Sequence, residues 1–314
     1  MGFVRILLRA LILSVALAYQ AHSASAAEGA SSNYLPGAYG NFGVAVAPAP
    51  GTYFQNDLFY YSGEVSAAVL SGRVNAALET DVIIDLVTGL WASDTKILGA
   101  QYAAGVFVPF AHAELEATVT LPIIGPISRS GDLFGIGDVA FMPASLFWTL
   151  GDSFHINLYE VITTPTGRYS TSRALNIGRN YFSFDTVLSM TWLNPSTGTE
   201  ISLVPGIMVN TENTATNYTT GTEFHMDWMV NQFFSETFAL GVHGYVYRQL
   251  SGDSGAGASL GSFKGKGNGI GPAMMWVPVI GDTPVKVVGQ VMHEFGAKRR
   301  FEGTYGQLQV AFQF

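Results

Sequence analysis

The chain is 314 residues long, 48% hydrophobic and 13% aromatic but only 12% charged, with net charge −8 and no cysteine. A soluble domain carries about 25% charged residues, so the composition points away from one. The acidity excludes a basic nucleic-acid-binding face, the missing cysteines exclude disulfides and thiolate metal sites, and no repeated apolar run of ~20 residues exists for a polytopic helical protein.

The N-terminus reads as an export leader. Arg5 and Arg9 supply its positive start, residues 10–18 its apolar stretch, and Ala24-Ser25-Ala26 a small-residue cleavage site. Residues 1–26 are thus expected to be a signal peptide, with 27–50 a periplasmic segment and 51–314 the folded body. Residues 27–50 are rich in Gly, Ala and Pro, with Tyr34, Leu35, Tyr39 and Phe42 as apolar points. An ordinary linker is more polar. The segment is expected to fold into a lumen as a plug; a mobile terminus and a docking site for a partner remain open.

From residue 51 onward the hydropathy alternates with period two, the strand signature. Val82, Ile84, Leu86 and Leu90 alternate with Asp81 and Asp85; Phe224, Met226, Trp228 and Val230 alternate with Glu223, His225 and Asp227. Runs of ten residues or more suit a tilted strand crossing an apolar band of about 25 Å. Backbone groups in lipid must all be paired, so such strands have to close into a barrel. Tight polar breaks near Ser93, Gly151, Asn194, Ser235 and Gly281 alternate with long Gly-rich or polar stretches. They predict twelve strands, at 52–62, 76–92, 97–121, 133–150, 153–165, 180–193, 199–211, 222–234, 237–250, 268–279, 283–296 and 304–314. Fourteen is the rival if 97–121 splits near Pro109. The fold class is therefore all-β, a transmembrane antiparallel outer-membrane β-barrel with short periplasmic turns.

Two further patterns agree. Trp91, Trp148, Trp192 and Trp276 each fall just before a predicted periplasmic turn, as an interfacial aromatic girdle would. The last strand alternates through Leu308, Val310, Phe312 and Phe314, the last two resembling the terminal aromatic signal of bacterial barrels awaiting outer-membrane assembly.

The polar parity is expected to face the lumen and to line a solute path. It comprises Glu79, Asp81, Asp85, His112, Glu114, Glu116, Glu223, His225, Asp227, His243, Tyr245, Tyr247, Lys286 and Glu294. A polar network filling the lumen is the plainer alternative. His225, Asp227 and His243 lack a third ligand at fixed spacing, so no metal is expected. Gly252-Asp253-Ser254-Gly255 lacks the His and Asp context of a serine nucleophile. Glu160 shares parity with the apolar Leu158 and Ile162 and is expected near the outer interface, or re-aimed by a bulge. The block from Arg168 to Asn180 is expected to fold inward as a constriction or to cap the rim.

Several blocks carry a family resemblance. They are Thr164-Pro165-Thr166-Gly167-Arg168-Tyr169, Asn176-Ile177-Gly178-Arg179-Asn180-Tyr181, Gly135-Ile136-Gly137-Asp138, Glu223-Phe224-His225 and Asn33-Tyr34-Leu35-Pro36-Gly37. The chain resembles the meta-pathway phenol-degradation outer-membrane proteins, which include sphingosine-responsive members and are more distantly similar to FadL/TodX hydrocarbon channels. The resemblance implies a barrel passing hydrophobic or aromatic compounds and supplies no catalytic residues. The expected function is passive uptake of such compounds, without a cofactor. A nonselective porin or structural barrel is the alternative, and an outer-membrane enzyme is less favoured. Expected partners are outer-membrane lipid, a small hydrophobic or aromatic solute and the barrel-assembly machinery, with no nucleic acid.

Overall fold

In the computed structural model, residues 27–70, 73–121, 125–173, 175–259 and 261–314 are described; the expected signal peptide at 1–26 lies outside them. The alternating runs form antiparallel strands: β1 (Gly51–Leu70), β2 (Arg73–Ile97), β3 (Ala100–Leu121), β4 (Gly125–Ile136), β5 (Ala140–Leu150), β6 (Phe154–Thr163), β7 (Ser183–Leu193), β8 (Thr199–Asn210), β9 (Glu223–Ser235), β10 (Phe238–Gln249), β11 (Lys266–Trp276), β12 (Val279–Ile280), β13 (Thr283–Lys298) and β14 (Glu302–Gln313). Apart from β4, which pairs only with β3, and β12, which pairs only with β13, each strand is paired on both sides, and β1 closes the sheet by pairing with β14 from Tyr53↔Gln313 to Glu64↔Glu302.

The closed barrel has twelve strands. β12 is a two-residue hairpin arm on β13. β4 and β5 act as one interrupted strand, because both pair with β3, β4 above Phe107 and β5 below it. The fourteen-strand rival fails at the residue that suggested it. β3 runs unbroken through Pro109, whose missing N–H falls beside the Gly137–Val139 interruption, where Gly137 N–H donates to the Pro109 carbonyl at 2.8 Å.

β1, β2 and β3 hold 20, 25 and 22 residues, whereas ~9–11 suffice to span a bilayer. Their upper halves therefore rise beyond the apolar band as a wall on one side of the outer mouth. On the other side the mouth is built from loops at 164–182, 211–222 and 250–265.

The outer surface of the lower barrel is apolar, as on β8, where Ile201, Leu203, Ile207 and Val209 point out. Trp91, Trp192 and Trp276 are 50%, 40% and 52% exposed, and Trp148 is half-buried. All four stand close to the turns at the end where β1 begins and β14 finishes. At that seam the Phe312 ring packs against Phe54 and Phe314.

The inner parity differs from expectation on two strands. On β2, Leu78, Thr80 and Thr88 are buried while Glu79 and Asp81 are exposed; on β3, Ala111, Ala113 and Leu115 are buried while Glu114 and Glu116 are exposed. Asp85 pairs across the sheet with Leu58 and Phe110, and Leu58 is exposed. His112 pairs with Ile83 and Phe134, both exposed, and contacts Glu114 at 3.3 Å. Glu79, Asp81, Asp85, His112, Glu114 and Glu116 thus face outward, not into the lumen. Apolar residues line the inside of these strands, and above the membrane the outer face meets water. Polar parity marks the aqueous side, which here is the outside.

Glu160 points outward with its parity mates and accepts a hydrogen bond from Thr186 Oγ1 at 2.6 Å. A neighbouring hydroxyl satisfies the carboxylate without re-aiming it.

Candidate functional site

The lumen has two unlike walls. On β7, β8 and β9 the inward side chains include Asp185, Ser189, Thr191, Glu200, Ser202, Glu223, His225, Asp227 and Asn231, all buried. On β1, β2 and β3 they include Phe59, Val82, Ile84, Leu86, Phe107, Ala111 and Leu115.

Residues 27–47 run along the polar wall, from the loop end of the barrel toward the Trp end. Tyr34, fully buried, donates its hydroxyl to Asp227 Oδ1 and stacks on His225 at 4.1 Å between ring centroids. Tyr39 N–H donates to Asp227 Oδ2 at 3.0 Å, and its hydroxyl donates to Asp185 at 2.8 Å. Gly43 N–H donates to both oxygens of Glu200 at 3.0 and 3.1 Å. Lys286 Nζ donates to the Phe42 carbonyl at 3.0 Å. Between Leu35 and Ala38 the segment turns on Gly37, at φ +74°, where a Cβ would lie 2.1 Å from the Tyr305 hydroxyl. Only glycine fits so close an approach at positive φ.

Each inward carboxylate is thus engaged by donors. His225 Nε2 lies 2.9 Å from Asp185. His243 bonds Gln290 and Asn231 at 2.9 and 3.0 Å. Tyr247 donates to Glu223, while Tyr245 and Tyr61 donate to Glu294. Among the described residues no cluster of three or more His, Asp or Glu is arranged to hold a metal.

Between the N-terminal segment and the apolar wall lies a cavity of about 610 Å³. It reaches from Leu90 and Phe147 near the Trp end to Leu115 and Phe301 near the outer mouth, along Ile84, Leu86, Pro109, Met142 and Val161. That volume falls in the range of small-molecule sites, which are apolar with few polar groups. Its outer pole carries Arg300, whose guanidinium lies 4.1 Å from the Tyr247 ring centroid and whose Nε and Nη1 have no hydrogen-bond partner.

The block from Arg168 to Asn180 folds over this pole. Asp138, in the strand interruption, accepts Gly167 N–H at 2.7 Å and Arg179 N–H at 2.6 Å. Burial raises its carboxyl above the usual range against these donors, and burial does the same to Glu28. Arg179 Nη2 reaches Ser31 Oγ at 2.9 Å, tying the loop to the N-terminal segment. Gly167 and Gly178 meet backbone to backbone: a Cβ on Gly178 would lie 2.5 Å from the Gly167 carbonyl carbon. Gly178→Val is therefore expected to spring the loop, cost about 2–4 kcal/mol of local stability, and give a new proteolytic cut within 164–182.

Of the expected path residues, Glu223, His225, Asp227, His243, Tyr245, Tyr247, Lys286 and Glu294 face inward. They bear on the N-terminal segment or on one another; of these only Glu294 borders the cavity. Sequence reasoning missed Asp185 and Glu200, which share parity with small polar residues on β7 and β8. It also missed the apolar lining, although Trp91 and Asp85 share one parity, so an outward Trp91 already implied an outward Asp85.

The model of the family described as "Putative MetA-pathway of phenol degradation" matches residues 64–310. The chain belongs to this family. No curated protein matches the sequence significantly. Among solved structures, the COG4313 outer membrane channel from Pseudomonas putida F1 is 13% identical, with 90% of this chain and all of that one covered and a TM-score of 0.69. A FadL homologue from Pseudomonas aeruginosa is 7% identical over 88% and 94% of the two chains, with a TM-score of 0.45. This member of the phenol-degradation family is, in fold, an outer-membrane β-barrel.

Proposed function

We propose that the protein is an outer-membrane channel for passive uptake of small hydrophobic or aromatic compounds, held closed by residues 27–50. The observation that carries this reading is the division of the lumen. Donors from the N-terminal segment and the polar wall engage the carboxylates, leaving no open acidic path for ions among the described residues. What remains is an apolar cavity with a polar pole at Arg300. An aromatic solute gains ~25 cal/mol per Å² of apolar surface buried there, and its hydroxyl or carboxylate head would face the guanidinium. The relative from Pseudomonas putida, described as an outer membrane channel, lends support. Phe312 and Phe314 would present the terminal strand to the assembly machinery, and the Trp girdle would seat the barrel in lipid.

The test fills the cavity. Ala111 and Ala113 line it and are nearly buried, so Ala111→Trp with Ala113→Trp would occupy the solute's space without touching the N-terminal segment's hydrogen bonds. Uptake of labelled toluene or phenol by cells carrying the variant is expected to fall at least about tenfold, with unchanged barrel content and heat-modifiability. Unchanged uptake would overturn the cavity as the path. Loss of small hydrophilic solutes to the same degree would favour a nonselective porin.

A further inference from the structure

Asp253, in the loop between β10 and β11, is 2% exposed and lies within reach of no cationic side chain among the described residues. Its Oδ1 accepts Gly221 N–H at 3.1 Å and Gln249 Nε2 at 2.5 Å; its Oδ2 accepts the Tyr218 hydroxyl at 2.5 Å. The remaining donor is the main-chain nitrogen of Ala27, 2.7 Å from Oδ2. An ionised carboxylate buried without a counter-charge is costly, and four neutral donors do not supply one.

Ala27 itself is strained as an internal residue. It sits at φ +64°, ψ 143°, a region suited to glycine and not to an L-alanine. That φ exists only while a carbonyl precedes the nitrogen. The sequence places a small-residue cleavage site, Ala24-Ser25-Ala26, directly before this nitrogen. Burial without charge, backbone strain and the cleavage motif converge on a single bond.

We propose that hydrolysis of the Ala26–Ala27 bond supplies the missing cation, and that the freed α-ammonium of Ala27 forms a buried ion pair with Asp253 that locks the outer lid onto the N-terminal segment. In the cleavage, by a signal peptidase, water adds to the Ala26 carbonyl carbon and the C–N bond breaks. Ala26 departs as a carboxylate, and the amine left on Ala27 takes a proton at neutral pH. The positive φ then ceases to exist, and the strain with it.

The position gives this pair leverage. Within four residues of Ala27 the chain touches the three long loops of the outer mouth and the β13–β14 turn. Glu28 accepts Asn213 Nδ2 at 2.9 Å, Ala30 accepts Phe301 N–H at 3.2 Å, and Ser31 accepts Arg179 Nη2 at 2.9 Å. The terminus is the piece on which the three loops and the β13–β14 turn meet.

The proposal rests on reading residues 1–26 as a leader, and the experiment separates the two. Intact mass of the protein extracted from outer membranes is expected to match residues 27–314; any other start overturns the leader reading and the pairing together. The folded protein is then treated with an amine-reactive succinimidyl ester near neutral pH, and labelling at Ala27 is read by peptide mass. Protection relative to the unfolded chain is expected. Labelling is expected to rise about tenfold or more in Asp253→Asn. The same rise, now read at the α-amine of the added residue, is expected in a refolded chain carrying one extra glycine before Ala27, which keeps Asp253 and decides the matter if the first variant does not fold. An α-amine as reactive in the folded wild type as in the unfolded chain, or protection unchanged by the extra glycine, overturns the ion pair and leaves the leader standing.

Discussion

A refolded chain lacking residues 27–50 is expected to conduct in stable open steps across a planar bilayer, where the chain from residue 27 onward stays near silent. Twelve strands spaced ~4.8 Å apart and tilted by ~40° enclose a backbone cylinder roughly 24 Å across. Inward side chains and the N-terminal segment fill the polar half of that space, and the cavity of about 610 Å³ is what is left. With the segment gone, Asp185, Glu200 and Asp227 lose the donors that engage them and hydrate, so water and small cations gain a continuous path. The open state should be cation-selective because the uncovered wall is acidic. Equal silence with and without the segment would mean that the barrel side chains alone close the lumen; equal open currents would mean that the segment is no plug.

The second large effect is expected at one carboxylate. Asp227 takes two donors from the N-terminal segment, the Tyr34 hydroxyl and the Tyr39 N–H, on a wall from which water is excluded. Asp227→Leu removes both acceptors and leaves two buried donors unsatisfied, costing roughly 2–5 kcal/mol of the segment's docking. The barrel ladders are untouched, so heat-modifiability should persist while a protease cuts between residues 30 and 45 and the bilayer trace shows flickering openings. Tyr34→Phe, which removes one donor and leaves the carboxylate, should give a smaller effect in the same direction. If Asp227→Leu leaves the segment as resistant to protease as the parent, its hold lies in packing around Tyr34 and Phe42 and not in these bonds.

The barrel was legible because its period is local: alternation, polar turns and tryptophans placed before turns each need only a few neighbouring residues. Which face is inside is not a local property. Ile84 and Leu86 alternate with Asp85 on β2 as a lipid-facing row would, yet they line a cavity. A barrel whose lumen holds an apolar cavity has apolar residues on both faces through the membrane, and its carboxylates then mark the height at which the outside turns aqueous. On β9 the polar parity did mark the inside, since that wall bonds a polar backbone. The partners of that wall, such as Tyr39 with Asp185, lie 146 residues apart in sequence, and no spacing rule connects them. The Asp138 bracket was equally hidden, because it joins Gly167 and Arg179 across a strand interruption that hydropathy does not register.

The inward course of residues 27–47 also orders events in time. Ala27 meets Asp253 across 226 residues, and Tyr34 meets Asp227 across 193. Contacts so distant in sequence form late, after the intervening chain has been brought together. The residues that leave the ribosome early are thus among the last to find their places. They must wait, solvated in the periplasm, until β7 to β11 exist as a surface to lie upon. The small and weakly hydrophobic composition of that stretch fits the wait, because a stickier sequence would meet other chains before its own barrel.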